Sequence, residues 1–202
     1  MLYKTLFWIF VGLLAYSYVG YTILLLAIKQ IKAILLKKHK DVTYNEIPDI
    51  TIVVAAYNEE NNIAEKIKNT IEQDYPTEKL QQLWVNDGST DGTRELLMSN
   101  INIKTIDQLP RQGKVAAINL AMQHVKTDIV VFSDANAIFS KQAISKLIQP
   151  FTNPRVGCVA GEKRIYSSKK DSAVSGEGAY WQYESLIKKL ESYCGSTLSA
   201  TG

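Results

Sequence analysis

The chain has 202 residues, 46% of them hydrophobic, and a formal net charge of +3. This length fits one soluble domain plus a small additional segment, and the hydrophobic fraction is ordinary for a globular protein. Residues 1–40 hold six lysines and no acid, so the rest of the chain has 17 basic residues, the total of 23 less these six, against 20 acidic ones. The main part of the chain is therefore slightly acidic, which gives no support for a nucleic-acid-binding face.

The N-terminal segment contains an uncharged stretch from residue 5 to residue 28. At about 1.5 Å per residue, a helix of this length crosses a hydrocarbon core of roughly 30 Å. Five lysines follow the stretch before residue 41 and one precedes it. We therefore predict one transmembrane helix within residues 1–40, in the cell inner (plasma) membrane. The positive-inside rule places the domain at residues 41–202 in the cytoplasm. A signal peptide is the alternative, but its apolar region is usually only about 7–15 residues long.

Apolar runs separated by turn residues divide residues 41–202 into alternating strands and helices. We predict strands at 50–56, 82–85, 101–106, 129–133 and 156–161. A helix capped by Asn61 or Asn62 follows the first strand, and further helices are predicted through 96–98, at 115–125, at 141–149 and at 175–192. This alternation predicts an α/β fold with a Rossmann-like, mostly parallel sheet covered by helices on both faces. The two cysteines, Cys158 and Cys194, have neither metal-site spacing nor disulfide-scaffold density, which indicates free thiols.

Three of the predicted strands end in polar loops, at 57–60, 86–92 and 134–136. In a parallel sheet these loops lie at the same edge, where they can meet at one ligand. Asp134 and Asn136 supply hard oxygen ligands suited to Mg²⁺ or Mn²⁺, and such an ion would neutralise a bound diphosphate. A simple turn is the alternative interpretation, because Asp and Asn both favour turns after strands.

Two further features favour a nucleotide ligand. Asp87 and Asp91 stand beside glycines, which gives hydrogen-bond acceptors next to backbone that a ligand can approach closely. Lys114 is at the start of a predicted helix, where a cation interacts unfavourably with the helix dipole, and this suggests that an anion binds there. A solvated lysine is the alternative. The chain has no G-x-G-x-x-G and no G-x-x-x-x-G-K-[ST], which argues against Rossmann dehydrogenases and P-loop NTPases.

These residues resemble the inverting family 2 glycosyltransferases with a GT-A type fold, particularly membrane-anchored bacterial members related to hyaluronan and cellulose synthases. The resemblance is carried by four segments, VVAAYNEE (53–60), VNDGSTDGT (85–93), GKVAAINLAM (113–122) and FSDANAIF (132–139). It continues through GEGAYWQYE (176–184) to the ATG at 200–202. Four motifs in the family's order and spacing are a far more specific signal than any one of them.

The resemblance implies a set of nucleotide-sugar-binding residues. Ala55, in place of a frequent proline of the family, belongs to this set. Tyr57 and Glu59 would border the nucleobase, Asp87 would hydrogen-bond the base or the ribose, and Lys114 would face the diphosphate. Trp181, Tyr183 and Glu184 on the last helix are either part of a sugar pocket or packing residues.

The resemblance also implies a metal site. Asp134 and Asn136 stand where the family has its D-x-D motif, which binds the metal, Mg²⁺ or Mn²⁺, and the nucleotide sugar. Asn136 replaces the second acid, so we expect weaker or water-mediated metal binding.

The predicted function is transfer of a sugar, with inversion, from a nucleotide-diphosphate sugar, expected to be UDP-linked, to a glycan or lipid-linked acceptor. Family members carry an acidic catalytic base in a downstream E-D motif, and processive ones a Q-x-x-R-W motif. Residues 1–202 have neither at a matching place. We therefore predict the donor-binding N-terminal portion of a longer enzyme, inactive alone, with its catalytic base beyond residue 202.

Two other functions remain open from the sequence. The first is a non-catalytic, membrane-tethered module that binds a nucleotide sugar, which the lost acid and missing base motif favour. The second is a nucleotidyltransferase, which shares the use of nucleotide and metal but usually has a glycine-rich, basic phosphate loop near its first strand. Residues 55–57 lack such a loop.

Overall fold

The computed structural model describes residues 1–35, 46–162 and 174–195, with side chains from residue 182 onward in the last range. Residues 42–161 form one compact unit, and residues 1–41 together with 162–201 form a second. The division of the chain at residue 41 that the sequence suggested stays a prediction.

The unit of residues 42–161 is built on a four-stranded parallel sheet. The strands are β1 (Ile50–Ala56), β2 (Leu80–Asn86), β3 (Lys104–Asp107) and β4 (Ile129–Asp134), in the order β3-β2-β1-β4. β1 is central and almost wholly buried, as its continuous apolar run indicates. In the register of the sheet, Ala55 lies opposite both Val85 and Asp134, so β1, β2 and β4 end at the same level. The candidate site lies at this edge of the sheet, where the C-terminal ends of the three strands are aligned.

Helices cover both faces of this sheet, as predicted. They are α3 (Glu60–Ile71), α4 (Thr93–Met98), α5 (Lys114–Met122) and α6 (Ala143–Ile148). On one face, α3, α4 and α6 bury their apolar residues around Trp84, which is fully buried. On the other face, Ala117 and Ala121 of α5 pack against alternate residues of β1 and β2. The α/β fold with a parallel sheet is therefore confirmed.

Three details of the prediction are wrong. α3 begins at Glu60 with Glu59 at the cap position, so Asn61 and Asn62 lie inside the first turn of the helix and do not cap it. β3 starts only at residue 104. Residues 156–161 lie outside the four strands found in the described part of the chain, and Gly157 and Cys158 are exposed. An apolar run forms a strand only when a neighbouring strand supplies its hydrogen bonds.

The second unit contains one helical segment that is long and apolar enough to cross a membrane, Leu2–Leu35, within the described residues. It consists of α1 (Leu2–Ala15), a π-helical turn and α2 (Tyr21–Leu35). Residues 1–19 are all exposed, whereas α2 packs against α7 (Val174–Cys194). Tyr21 donates a hydrogen bond to Glu191, 2.8 Å away, and Thr22 and Tyr183 share another of 3.0 Å. Tyr183 is thus a packing residue, Glu184 pairs with Lys188, and the side chain of Trp181 lies outside the described residues.

Candidate functional site

A pocket of about 270 Å³ opens at the edge of the sheet where β1, β2 and β4 end. The structure brings all seven of the predicted site residues into its lining: Ala55, Tyr57, Glu59, Asp87, Lys114, Asp134 and Asn136. Ala56, Arg111 and Ala135 complete it. The three polar loops therefore meet at one cavity, while the binding role of each residue stays a prediction.

Asp87 follows β2 and is almost fully buried, with 3% of its surface exposed. Its carboxylate accepts three hydrogen bonds of 2.8 Å, from the side chain of Gln108 and from the backbone N–H groups of Gln112 and Gly113. A buried carboxylate needs several donors to offset its lost hydration. Asp87 therefore holds the loop of residues 108–113 against the end of the sheet, in addition to lining the pocket.

Gly88 makes this close approach of the loop possible. Its backbone has a φ of +67°, and a Cβ at this position would lie 2.9 Å from the backbone nitrogen of Arg111. Any other residue would suffer both an unfavourable backbone conformation and a clash with backbone atoms. The glycine of the N-D-G-S motif thus serves the packing of the 108–113 loop.

Arg111 is a pocket residue that the sequence did not reveal. Its guanidinium lies over the Tyr57 ring, with Cζ 3.7 Å from the ring centroid, and its Nε is 3.9 Å from an Asp87 oxygen. The Arg111 side chain stays more than half exposed, so a bound anion can reach it. The available signal was a second basic residue three positions before Lys114 in the sequence R-Q-G-K.

Lys114 is the first residue of α5, and its ammonium pairs with Asp134 of the predicted metal site. Its Nζ is 2.5 Å from Asp134 Oδ1. Gly113, at the cap position with a φ of +93°, turns the chain into the helix. Both charged side chains remain partly exposed to the pocket. A cation at the N-terminus of a helix interacts unfavourably with the helix dipole, and here the ion pair with the Asp134 carboxylate offsets this effect.

Asp134 and Asn136 are the oxygen-bearing side chains of the predicted metal site. Within the described residues, no group of three or more His, Cys, Asp or Glu side chains is arranged to hold a metal ion. Mg²⁺ is commonly bound through one or two carboxylates together with substrate phosphates and water. One carboxylate and one amide oxygen fit that mode, in which the nucleotide supplies part of the coordination.

The loops after β1 and β2 are joined to each other beside the pocket. Asn58, with a φ of +54°, accepts a hydrogen bond from the Thr90 backbone, and Glu60 accepts one from the Gly92 backbone. Asp91 accepts hydrogen bonds from the Thr93 and Glu60 backbones. Desolvation raises the pKa of Asp91, but the hydrogen bonds outweigh this effect and hold the pKa below its ordinary value. Asp91 therefore fixes the loops and lies outside the pocket lining, contrary to the suggested role beside the nucleotide.

The Asp87→Asn variant tests how the 108–113 loop is held. An amide keeps the size of the side chain but turns one acceptor into a donor, so a backbone N–H of the loop loses its partner. We expect the free energy of unfolding to fall by about 1–3 kcal/mol, the cost of an unsatisfied buried polar group. Thermal unfolding followed by circular dichroism measures this. The control is Asp49→Asn, whose side chain is 64% exposed; equal stability of the two variants would contradict the role given to Asp87.

Comparison with known proteins identifies the family of this chain. Residues 51–198 match the family described as Glycosyl transferase family 2. The poly-beta-1,6-N-acetyl-D-glucosamine synthase of Staphylococcus aureus (strain MSSA476) is 30% identical over 174 residues, which are 83% of this chain and 41% of that protein. The solved mannosyltransferase PcManGT from Pyrobaculum calidifontis, in complex with GDP-Man and Mn²⁺, is 32% identical, with a TM-score of 0.60. That likeness covers 75% of this chain and 46% of the mannosyltransferase.

The chain thus spans less than half the length of each of these two relatives. The family match covers nearly all of the sheet and the whole pocket lining. It is an enzyme family, and both relatives are named for sugar transfer or polysaccharide synthesis. On these grounds the chain belongs to family 2 of the glycosyltransferases.

Proposed function

We propose that the pocket binds a nucleoside-diphosphate sugar together with Mg²⁺ or Mn²⁺, as the donor site of an inverting glycosyltransferase. The observation that carries this proposal is the meeting, at one edge of the sheet, of the Asp134–Asn136 pair with two cationic side chains, Arg111 and Lys114. Carboxylate and amide oxygens suit the metal, and the cations suit the diphosphate.

The nucleoside lies, in this proposal, between the loops after β1 and β2. Tyr57 and Glu59 border the base. Asp87 uses three acceptor positions for the 108–113 loop, and because a carboxylate has about four, one remains for a donor of the base or the ribose. The family resemblance favours uridine. Because PcManGT is in complex with GDP-Man, guanosine is the alternative to be tested.

The metal and the basic residues serve the leaving group. When bound, the metal supplies positive charge that stabilises the departing nucleoside diphosphate. Asp134 and Asn136 would hold the metal, and Lys114 and Arg111 would contact the phosphates. The acceptor, which is a glycan or a lipid-linked molecule, must lose a proton to a general base as the bond to the anomeric carbon forms. We place that base in the family's E-D motif, which residues 1–202 lack.

The same proposal includes the membrane. The Leu2–Leu35 helix anchors the chain in the inner (plasma) membrane, with the nucleotide-binding unit in the cytoplasm. Two observations support this placement, the exposed apolar residues of α1 and the lysines that follow the helix in the sequence.

Nucleotide titrations of the full 202-residue chain in detergent micelles test the proposal. We expect UDP to bind in the presence of Mn²⁺, more tightly than GDP, and far more weakly when the metal is removed with EDTA. Isothermal titration calorimetry with each nucleotide, with and without Mn²⁺, measures this. Failure of both nucleotides to bind, or binding that ignores the metal, would overturn the proposal.

A transfer assay tests the second part of the proposal, the place of the base. With radiolabelled UDP-sugars, we expect the 202-residue chain to release no more UDP in the presence of acceptor glycans than a blank. Its nucleotide binding, measured in parallel, shows that the site is intact. Sugar transfer by this chain would contradict the assignment of the base to a downstream motif.

A further inference from the structure

A fully buried lysine lies behind the Asp134–Asn136 turn. Lys66 belongs to α3 and has no exposed surface. α3 covers the face of the sheet opposite α5, so Lys66 approaches the turn from the side away from Lys114. Its helical position between Ile63 and Ile67, two residues of the buried face, puts a charged group in the core.

The ammonium of Lys66 has two hydrogen-bond acceptors and one aromatic ring as partners. It donates to Ser133 Oγ at 2.8 Å and to the Ala137 carbonyl at 2.5 Å, and it lies 3.6 Å from the centroid of the Phe139 ring. Burial lowers the pKa of Lys66 to about 8, against the opposing effect of Asp134. A buried ammonium is costly unless it is paired in this way.

The two hydrogen-bond acceptors of Lys66 lie on either side of the metal-site residues. Ser133 directly precedes Asp134, and Ala137 directly follows Asn136. Next to this turn, Asn69, one helical turn further along α3, exchanges two hydrogen bonds with the Phe139 backbone. The turn is therefore fixed from behind at both ends, while its three residues face the pocket.

We propose that Lys66 is a positioning residue that holds Asp134 and Asn136 in the arrangement required to bind the divalent cation. This inference rests on the proposed function of the pocket. Because the Asp134–Asn136 pair has only one acid, metal binding depends strongly on the positions of these two side chains. Groups behind a metal's ligands typically change metal affinity about 10–100-fold when they are removed.

The test is a Lys66→Met variant of the full chain, because methionine keeps most of the buried stem and removes the ammonium. Two quantities are measured by calorimetry, the Mn²⁺ concentration that gives half-maximal UDP binding and the dissociation constant of UDP at saturating Mn²⁺. We expect the first to rise about ten-fold or more and the second to change less than about three-fold. A loss of general stability would change both quantities.

Ser133→Ala is the second variant, since it removes one acceptor of Lys66 and leaves Lys66 in place. It also removes the hydrogen bond that the Ser133 hydroxyl donates to the Asp134 carbonyl, 3.2 Å away. We expect it to raise the Mn²⁺ requirement about two- to ten-fold, the effect that the net contribution of one ordinary hydrogen bond implies. It decides the question if Lys66→Met does not fold. Lys68→Met, at an exposed position of the same helix, is the control and should behave as wild type.

The outcomes separate this inference from the proposed function. Wild-type protein that binds no UDP with Mn²⁺ would overturn the proposed function and this inference with it. Wild type that binds, with a normal Mn²⁺ requirement in the Lys66 and Ser133 variants, would overturn the positioning role alone. A raised Mn²⁺ requirement in either variant, with the Lys68 control unchanged, supports it.

Discussion

Replacing Asp134 with alanine is expected to weaken Mn²⁺-dependent UDP binding about ten-fold or more. Asp134 supplies the one negative charge of the Asp134–Asn136 pair, so the variant leaves an uncharged amide as the remaining oxygen ligand of that pair. A lost interaction with a charged group costs about 1.5–3 kcal/mol, and about 1.4 kcal/mol corresponds to a factor of ten in affinity. Calorimetric titration of UDP at fixed Mn²⁺ measures the change.

The matched control is Asp128→Ala. Asp128 is an exposed acid directly before β4. Its substitution therefore removes the same charge at the opposite end of the same strand. We expect it to bind UDP and Mn²⁺ as wild type does. If Asp134→Ala also binds like wild type, or if both variants lose affinity to the same extent, the metal site does not lie at the Asp134–Asn136 turn.

The position of the site could be predicted from the sequence because it depends on two simple rules. Continuous apolar runs at 50–56 and 129–133 indicated buried parallel strands, and parallel strands place their C-terminal loops at one edge. The polar residues that follow those runs then had to lie close together. The structure agrees, since Asp87, Lys114 and Asp134 all line one pocket.

The supporting contacts could not be predicted in the same way. Lys66 was hidden in a stripe of isoleucines, where a lysine would ordinarily be expected to turn outward, and only the tertiary structure shows its acceptors at Ser133 and Ala137. Asp87 was predicted as a ligand of the nucleotide, but no sequence pattern indicated the loop that it holds, because Asp87 and Gln112 are 25 residues apart. Such contacts depend on how distant segments pack.

The ion pair of Lys114 and Asp134 has a consequence for the order of binding. In the free protein the ammonium occupies an oxygen that the metal would use, with Nζ 2.5 Å from Oδ1. A divalent cation arriving alone must either displace this ammonium or bind next to it against charge repulsion. A nucleotide diphosphate that arrives with the metal offers the displaced ammonium new oxygen partners, so it offsets the loss of the ion pair. Lys114 should therefore oppose binding of the metal alone and favour binding of the metal with nucleotide.

Lys114→Met is accordingly expected to change the two affinities in opposite directions. Without nucleotide, Mn²⁺ should bind about two- to five-fold more tightly, the effect expected from removing a partly exposed ion pair. With Mn²⁺ at saturation, UDP should bind about ten-fold or more weakly, because a charged hydrogen bond to the diphosphate is lost. Electron paramagnetic resonance of free Mn²⁺ measures the first affinity, and calorimetry measures the second.

Lys126→Met provides the comparison, since it removes the same charge from an exposed position just beyond the other end of α5. A general electrostatic effect would raise Mn²⁺ affinity in both variants, whereas the ion pair predicts a change in Lys114→Met alone. Weaker binding of both Mn²⁺ and UDP by Lys114→Met would mean that the lysine supports the metal site instead of competing with the metal. The opposite signs therefore distinguish a lysine that moves from the carboxylate to the phosphates from one that remains fixed on Asp134.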